Sequence, residues 1–130
     1  MTDKPRPTVA ILGASADRAK FGNKSVRAHQ KQGYDVYPVN FKGGTIEGLT
    51  VYKSLAEVPV DHLDRISVYL PPAAGLQVID EIAAKGCREL WLNPGSESQP
   101  LLARARQLGL EPVQACSIVD LGMQPAQFGS

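Results

Sequence analysis

Three glycines, Gly33, Gly86 and Gly109, each close a stretch of helical periodicity and stand immediately before a short apolar run. This punctuation constrains the fold more than any other feature of the chain, because glycine tolerates the left-handed conformation in which helices end. The apolar runs are Val9-Ala-Ile-Leu12, Tyr34-Asp-Val-Tyr-Pro-Val39, Ile66-Ser-Val-Tyr-Leu70, Glu89-Leu-Trp-Leu92 and Leu110-Glu-Pro-Val113. All are short and rich in β-branched, aromatic or aliphatic residues, so five strands are expected. The first, ended by Gly13, reads as a central strand buried on both faces. Between the strands, Leu76, Ile79, Ile82 and Ala83 share one face of a helix over residues 74–85. Leu101, Leu102, Ala105 and Leu108 do the same over 99–108. Residues 23–32 offer only Val26 and Ala28 as apolar positions, so their helix is inferred from its flanks. Ser54-Leu-Ala-Glu57 has capping-box spacing and Pro59 follows, which predicts a single helical turn.

Strand, helix, glycine, strand, repeated, is the alternation that builds a parallel sheet with right-handed crossovers. The expected fold is therefore α/β: a Rossmann-like three-layer domain with a five-stranded, mainly parallel sheet. A chain of 130 residues matches one domain. Residues 1–7, polar and proline-rich, read as a flexible arm, and residues 8–130 as the domain.

In such sheets ligands bind beyond the carboxyl ends of the strands, where strand order reverses. The first strand ends in Gly13-Ala14-Ser15-Ala16, small residues that let backbone amides approach an anion, with the Ser15 hydroxyl as a further donor. The strict Gly-x-Gly-x-x-Gly fingerprint is absent, since Ser15 and Arg18 stand at its second and third glycine positions. The second strand ends in Pro38-Val-Asn40-Phe-Lys42. A domain that binds NAD places an acidic residue there for the ribose hydroxyls. Neutral Asn40 and cationic Lys42 favour a phosphorylated ribose instead, as in coenzyme A or NADP. From Ala16 to Ile46 the chain carries six basic residues against two acidic ones. Among these Arg18, Lys20 and Lys42 are the candidates for contact with an anionic nucleotide. Pro71, after the third strand, is a candidate wall against an adenine ring, and Asn93, after the fourth, a candidate hydrogen-bonding group deeper in the crevice.

The formal net charge of +1 excludes the strong basic excess of a general nucleic-acid binder. No apolar run has the length of a membrane span and the first residues lack a secretory signal, so a cytoplasmic location without membrane attachment is expected. Cys87 and Cys116 are too few and too far apart for a disulfide framework or a zinc pair, and no ligand spacing suggests a metal centre. Cys116, just beyond the fifth strand, is the reactive group nearest the expected ligand edge. No catalytic residue is assigned.

Taken with these residues, the chain resembles the small stand-alone CoA-binding proteins related to the nucleotide domain of the succinyl-CoA synthetase α subunit. The resemblance is carried by Ile11-Leu-Gly-Ala-Ser15, Gly33-Tyr-Asp-Val-Tyr-Pro-Val-Asn40, Gly48 to Leu55, Val68-Tyr-Leu-Pro-Pro72, Leu92-Asn-Pro-Gly95 and Ala115-Cys-Ser-Ile118. It implies a Rossmann-like fold holding coenzyme A or acyl-CoA along the carboxyl edge of the sheet, and it implies no reaction. The synthetase phosphorylates a histidine carried by a further domain. Here His29 and His62 are expected at the surface. The leading expectation is thus a non-catalytic carrier, sensor or accessory module for coenzyme A, whose protein partner is unknown. The alternatives are an NADP-dependent oxidoreductase and a subunit that completes an acyl-CoA ligase site with a partner chain.

Overall fold

The computed structural model describes residues 5–129. Strands β1 (Thr8–Leu12), β2 (Asp35–Val39), β5 (Leu63–Val68), β6 (Cys87–Leu92) and β7 (Pro112–Gln114) form one sheet in the order β2-β1-β5-β6-β7. Every neighbouring pair is parallel. The remaining strands, β3 (Thr45–Ile46) and β4 (Leu49–Thr50), make a small antiparallel hairpin. Its two-residue loop holds Glu47 at φ +50 and Gly48 at φ +80, the positive dihedrals that match a tight hairpin to strand twist. A bridge between Val39 and Tyr52 attaches the hairpin segment to the outer edge of β2.

Both faces of the sheet are covered, which is why β1 is apolar at consecutive positions. Val9 and Ile11 pack with Val26 of α1 (Phe21–Lys31), while Ala10 and Leu12 face the opposite core. That second core is closed by Ile79 and Ile82 of α2 (Pro72–Lys85) and by Leu101, Leu102 and Ala105 of α3 (Gln99–Gln107). A short helix, α4 (Ser117–Asp120), docks on α1 through Ile118 against Ala28, with Met123 and Phe128 completing the contact. No helix among the described residues is long and apolar enough to cross a membrane.

Several sequence expectations need correction. The third sheet strand begins at Leu63 rather than Ile66, because its two charged positions are both partnered. Asp64 accepts the Thr8 N–H at 2.8 Å. Arg65, only 4% exposed, pairs with Asp120 at 2.6 Å and Glu89 at 2.9 Å and lies over the Trp91 ring. His29, expected at the surface, is fully buried. The inner face of α1 is mostly polar, with Asn23, Ser25 and His29 all at 0% exposure, so an apolar pattern could not reveal it. On α2 the inward face is Gly75, Ile79 and Ile82, and Leu76 stays 39% exposed. Gly75 sits there because a Cβ would come 3.0 Å from Leu101 Cδ2, where α2 and α3 approach closely. The turn at Leu55–Glu57 forms, but Ser54 makes no side-chain cap bond. The N-terminal arm falls partly outside the described residues. Its Arg6 donates to the carbonyls of Gly33 and Tyr34.

Candidate functional site

Strand order reverses at β1, with β2 on one side and β5 on the other, so a crevice opens beyond their carboxyl ends. Gly13 stands at this point with φ +85, and a Cβ there would lie 2.8 Å from the Tyr69 carbonyl oxygen. Only glycine satisfies both the dihedral and the close approach. A second glycine performs the task of the missing fingerprint glycine: a Cβ on Gly22 would collide with the Gly13 carbonyl oxygen, so Gly22 lets α1 start directly against the end of β1.

Three carbonyl groups of the segment between these glycines are occupied by side chains. Asn40 Nδ2 donates to the Ala14 carbonyl at 2.8 Å, Asn23 Nδ2 to the Ser15 carbonyl at 2.9 Å, and Arg27 Nη2 to the Arg18 carbonyl at 2.7 Å. Asn23 is itself oriented by Glu47 Oε2 at 3.1 Å and by Arg27 Nε at 2.7 Å. The Asp17 and Ala19 amides are taken locally by Ser15 Oγ and Asp17 Oδ1. By contrast, the N–H groups of Ala14, Ser15, Ala16 and Arg18 meet no protein acceptor among the described residues. These unpaired amides precede an 11-residue helix with no acidic residue in its first turn, an arrangement of donors and dipole that favours negative charge.

Two concave lobes meet at this turn, and Gly13 and Leu70 line both. The first, about 430 Å³, is walled by Lys20, Phe21, Tyr69, Pro71, Asn93 and Cys116 among others. The second, about 320 Å³, lies between the end of β2 and α2 and includes Asn40, Phe41, Lys53, Val78 and Glu81. The floor of the first lobe is a buried polar network. Asn93 donates to Ser67 Oγ at 2.8 Å and the Val68 carbonyl at 2.9 Å, and its Oδ1 accepts the Ser117 N–H at 2.8 Å and the Ser117 hydroxyl at 3.1 Å. The Tyr69 hydroxyl joins it, 3.0 Å from Ser117 Oγ. Burial pushes the Tyr69 phenol up, opposed by its hydrogen bonds to Ser117 and its neighbours. The network is a floor of neutral polar side chains that satisfy one another.

Gly13, Lys20, Asn40, Pro71 and Asn93 line the two lobes, whereas Ala14, fully buried, and Ser15 follow Gly13 in the turn and line neither. Asn40 and Asn93 have side-chain atoms engaged with protein, which makes them builders of the turn and of the floor. Arg18 lines neither lobe, and its Nε lies 3.5 Å from Glu47. Lys42 also lines neither, and its N–H donates to Asn40 Oδ1 at 2.9 Å. The residues not singled out from sequence are Gly22, Asn23, Phe41 and Lys53. The Phe21-Gly22-Asn23 string held a signal, since glycine and asparagine are poor helix interior residues placed at a helix start. Among the described residues, no cluster of His, Cys, Asp or Glu side chains is arranged to hold a metal ion.

A doubly covered parallel sheet with a glycine turn at its switch point defines a Rossmann-like α/β domain. Residues 7–122 match the model of the CoA binding domain, and the chain belongs to that family. It is 34% identical over 119 residues to the alpha subunit of the ADP-forming acetate–CoA ligase I of Pyrococcus furiosus, a match covering 79% of this chain and 26% of that subunit. The chain therefore spans about a quarter of the length of that relative. Among solved structures, a conserved hypothetical protein from Pyrococcus furiosus superposes with a TM-score of 0.78 at 36% identity, covering 88% of this chain and 98% of that one. A dinucleotide-forming acetyl-coenzyme A synthetase from Candidatus Korarchaeum cryptofilum, in complex with phosphate and ADP, superposes with a TM-score of 0.71 at 26% identity, covering 83% of this chain and 25% of that one. The relationship to the CoA-binding domain of succinyl-CoA synthetase-like α subunits, expected from the motifs, is met.

Proposed function

We propose that this chain binds coenzyme A or an acyl-CoA along the carboxyl edge of its sheet, as a carrier, sensor or accessory module with no reaction of its own. The observation that carries the reading is the turn at residues 14–18, where the Ala14, Ser15 and Arg18 carbonyls are occupied by Asn40, Asn23 and Arg27 while the Ser15, Ala16 and Arg18 amides meet no protein acceptor. Such a turn takes the pyrophosphate, helped by Lys20 at the mouth of the first lobe. The adenosine then lies in the second lobe beside the end of β2, the side on which parallel α/β domains hold ribose. The pantetheine arm follows the first lobe past Pro71 and Tyr69 toward Cys116. Pro71 is then a wall for that arm rather than for the adenine. Membership of the CoA binding domain family supports the ligand.

Thermal denaturation with added ligand tests this, because a ligand that binds only the native state stabilises it, by about 2.7 kcal/mol at a hundredfold excess over Kd. Coenzyme A is expected to raise Tm, and more than NADP does. No shift with coenzyme A, or a larger one with NADP, overturns the proposal. A second reading, a subunit completing an acyl-CoA ligase site, is favoured by the match to part of a ligase alpha subunit. The two differ in the native mass of the endogenous protein: a stoichiometric complex with a nucleotide-binding subunit selects the second.

A further inference from the structure

We infer that Lys53, on the segment between β4 and the helical turn at Leu55–Glu57, reads the phosphate monoester on the ribose of the bound nucleotide. This inference rests on the coenzyme A reading above and assigns its specificity to a residue outside the β2 segment, brought to its end by the bridge between Val39 and Tyr52. Lys42 occupies the position at which local sequence places a ribose-phosphate contact. Its N–H is fixed by Asn40 Oδ1, the Gly43 N–H is held by the Asn40 carbonyl at 3.0 Å, and its side chain lines neither lobe. Lys53 lines the second lobe directly, together with Asn40 and Phe41.

The Lys53 stem is seated against the backbone of Gly43. Its Cε and Cγ lie 3.1 and 3.6 Å from where a Cβ on Gly43 would stand, and Gly43 has φ +66. Glycine at 43 therefore leaves the groove in which the lysine stem lies, which lowers the entropy lost when its ammonium meets an anion. No carboxylate lies within ion-pair distance of Lys53 among the described residues. Glu81, the acid of this lobe, has Oε1 occupied by the Ala56 N–H at 2.9 Å. The lobe thus presents one ammonium free of any salt bridge, next to apolar walls at Leu12, Val39 and Leu55. Beside it Phe41 is 78% exposed. A ring held so far into water gains most from a flat partner stacked on it. Aromatic face, apolar wall and unpaired cation together fit a purine nucleoside bearing a phosphate monoester. That chemistry is shared by the 3′-phosphate of coenzyme A and the 2′-phosphate of NADP.

Isothermal titration of the wild type, Lys53→Ala, Lys53→Arg and Lys42→Ala with coenzyme A, dephospho-coenzyme A, NADP and NAD tests the assignment. Lys53 and Lys42 are both exposed, so the folded state survives either change. A charge-assisted phosphate contact gives the wild type about a tenfold preference for coenzyme A over dephospho-coenzyme A. Lys53→Ala is expected to bring that ratio to about one, with dephospho-coenzyme A bound as in the wild type, while Lys53→Arg and Lys42→Ala keep it. The inference is overturned if Lys53→Ala keeps the preference, if Lys42→Ala abolishes it, or if the wild type binds both coenzymes equally. The last result leaves the coenzyme A reading intact. Tighter binding of NADP than of coenzyme A, with its preference over NAD abolished by Lys53→Ala, upholds Lys53 and overturns that reading instead.

Discussion

Acidification from pH 7 to pH 5 should cost this protein about 2 kcal/mol of folding stability through one side chain, His29. The ring is fully buried on the inner face of α1. Its Nδ1 lies 2.8 Å from the Ser25 carbonyl, and Nη1 of Arg65 lies 3.4 Å from Nε2. A guanidinium only donates, so Nε2 carries the lone pair and Nδ1 the proton. A second proton would place an N–H against the guanidinium in a dry site, with Asp120 of α4 and Glu89 of β6 both already paired to Arg65. Burial first, and then Arg65, lower the His29 pKa from 6.5 to about 4, against the opposing pull of the Ser25 bond and Asp120. The unfolded chain therefore takes up a proton as pH falls through 6.5, and the folded chain does so only near 4. Stability contributed by the neutral ring is present above the unfolded pKa and is lost as pH falls toward the folded one. The linkage relation with these two values gives a loss of about 2 kcal/mol between pH 7 and pH 5. Urea denaturation at pH 7, 6 and 5 measures it. His29→Gln starts less stable at pH 7 but should lose far less across the range, whereas His62→Gln, at an exposed position, should follow the wild type. Equal pH slopes in the wild type and His29→Gln would refute the argument.

Gly22→Ala forces a methyl group against the Gly13 carbonyl oxygen. It should cost about 1–3 kcal/mol in chemical denaturation and weaken coenzyme A binding in titration calorimetry, because the turn that presents the amides shifts with it. Ser117→Ala removes the hydroxyl that meets Ser67, Tyr69 and Asn93 in the buried floor. A loss of about 1–3 kcal/mol is expected in urea melts. Burial, with Glu89 nearby, pushes the Cys87 thiol up to about 11. Cys87 should therefore resist iodoacetamide at pH 8 in the native protein and react on unfolding, as read by peptide mass spectrometry.

The alternation of strand and helix, the glycine stops and the small-residue turn after β1 were legible in the sequence because each is a local property. A left-handed dihedral, a run of apolar residues buried on both faces and a cluster of small side chains act within a few residues of chain. The same locality explains why α3 was read closely while β5 was entered three residues late. Asp64 and Arg65 belong to the strand only because Thr8 donates hydrogen bonds to the first and Glu89 and Asp120 neutralise the second. His29 is buried because Arg65, 36 positions away, and α4 close over it. Gly22 and Lys53 owe their places to backbone approaches at Gly13 and Gly43. Asn93 joins the floor through Ser117, 24 positions on. Sequence by itself determined the sheet, its punctuation and the glycine turn after the first strand. Tertiary structure decided which polar side chains build the site and which are left to meet a ligand, since burying a polar group is tolerable only where a distant partner completes its hydrogen bonds.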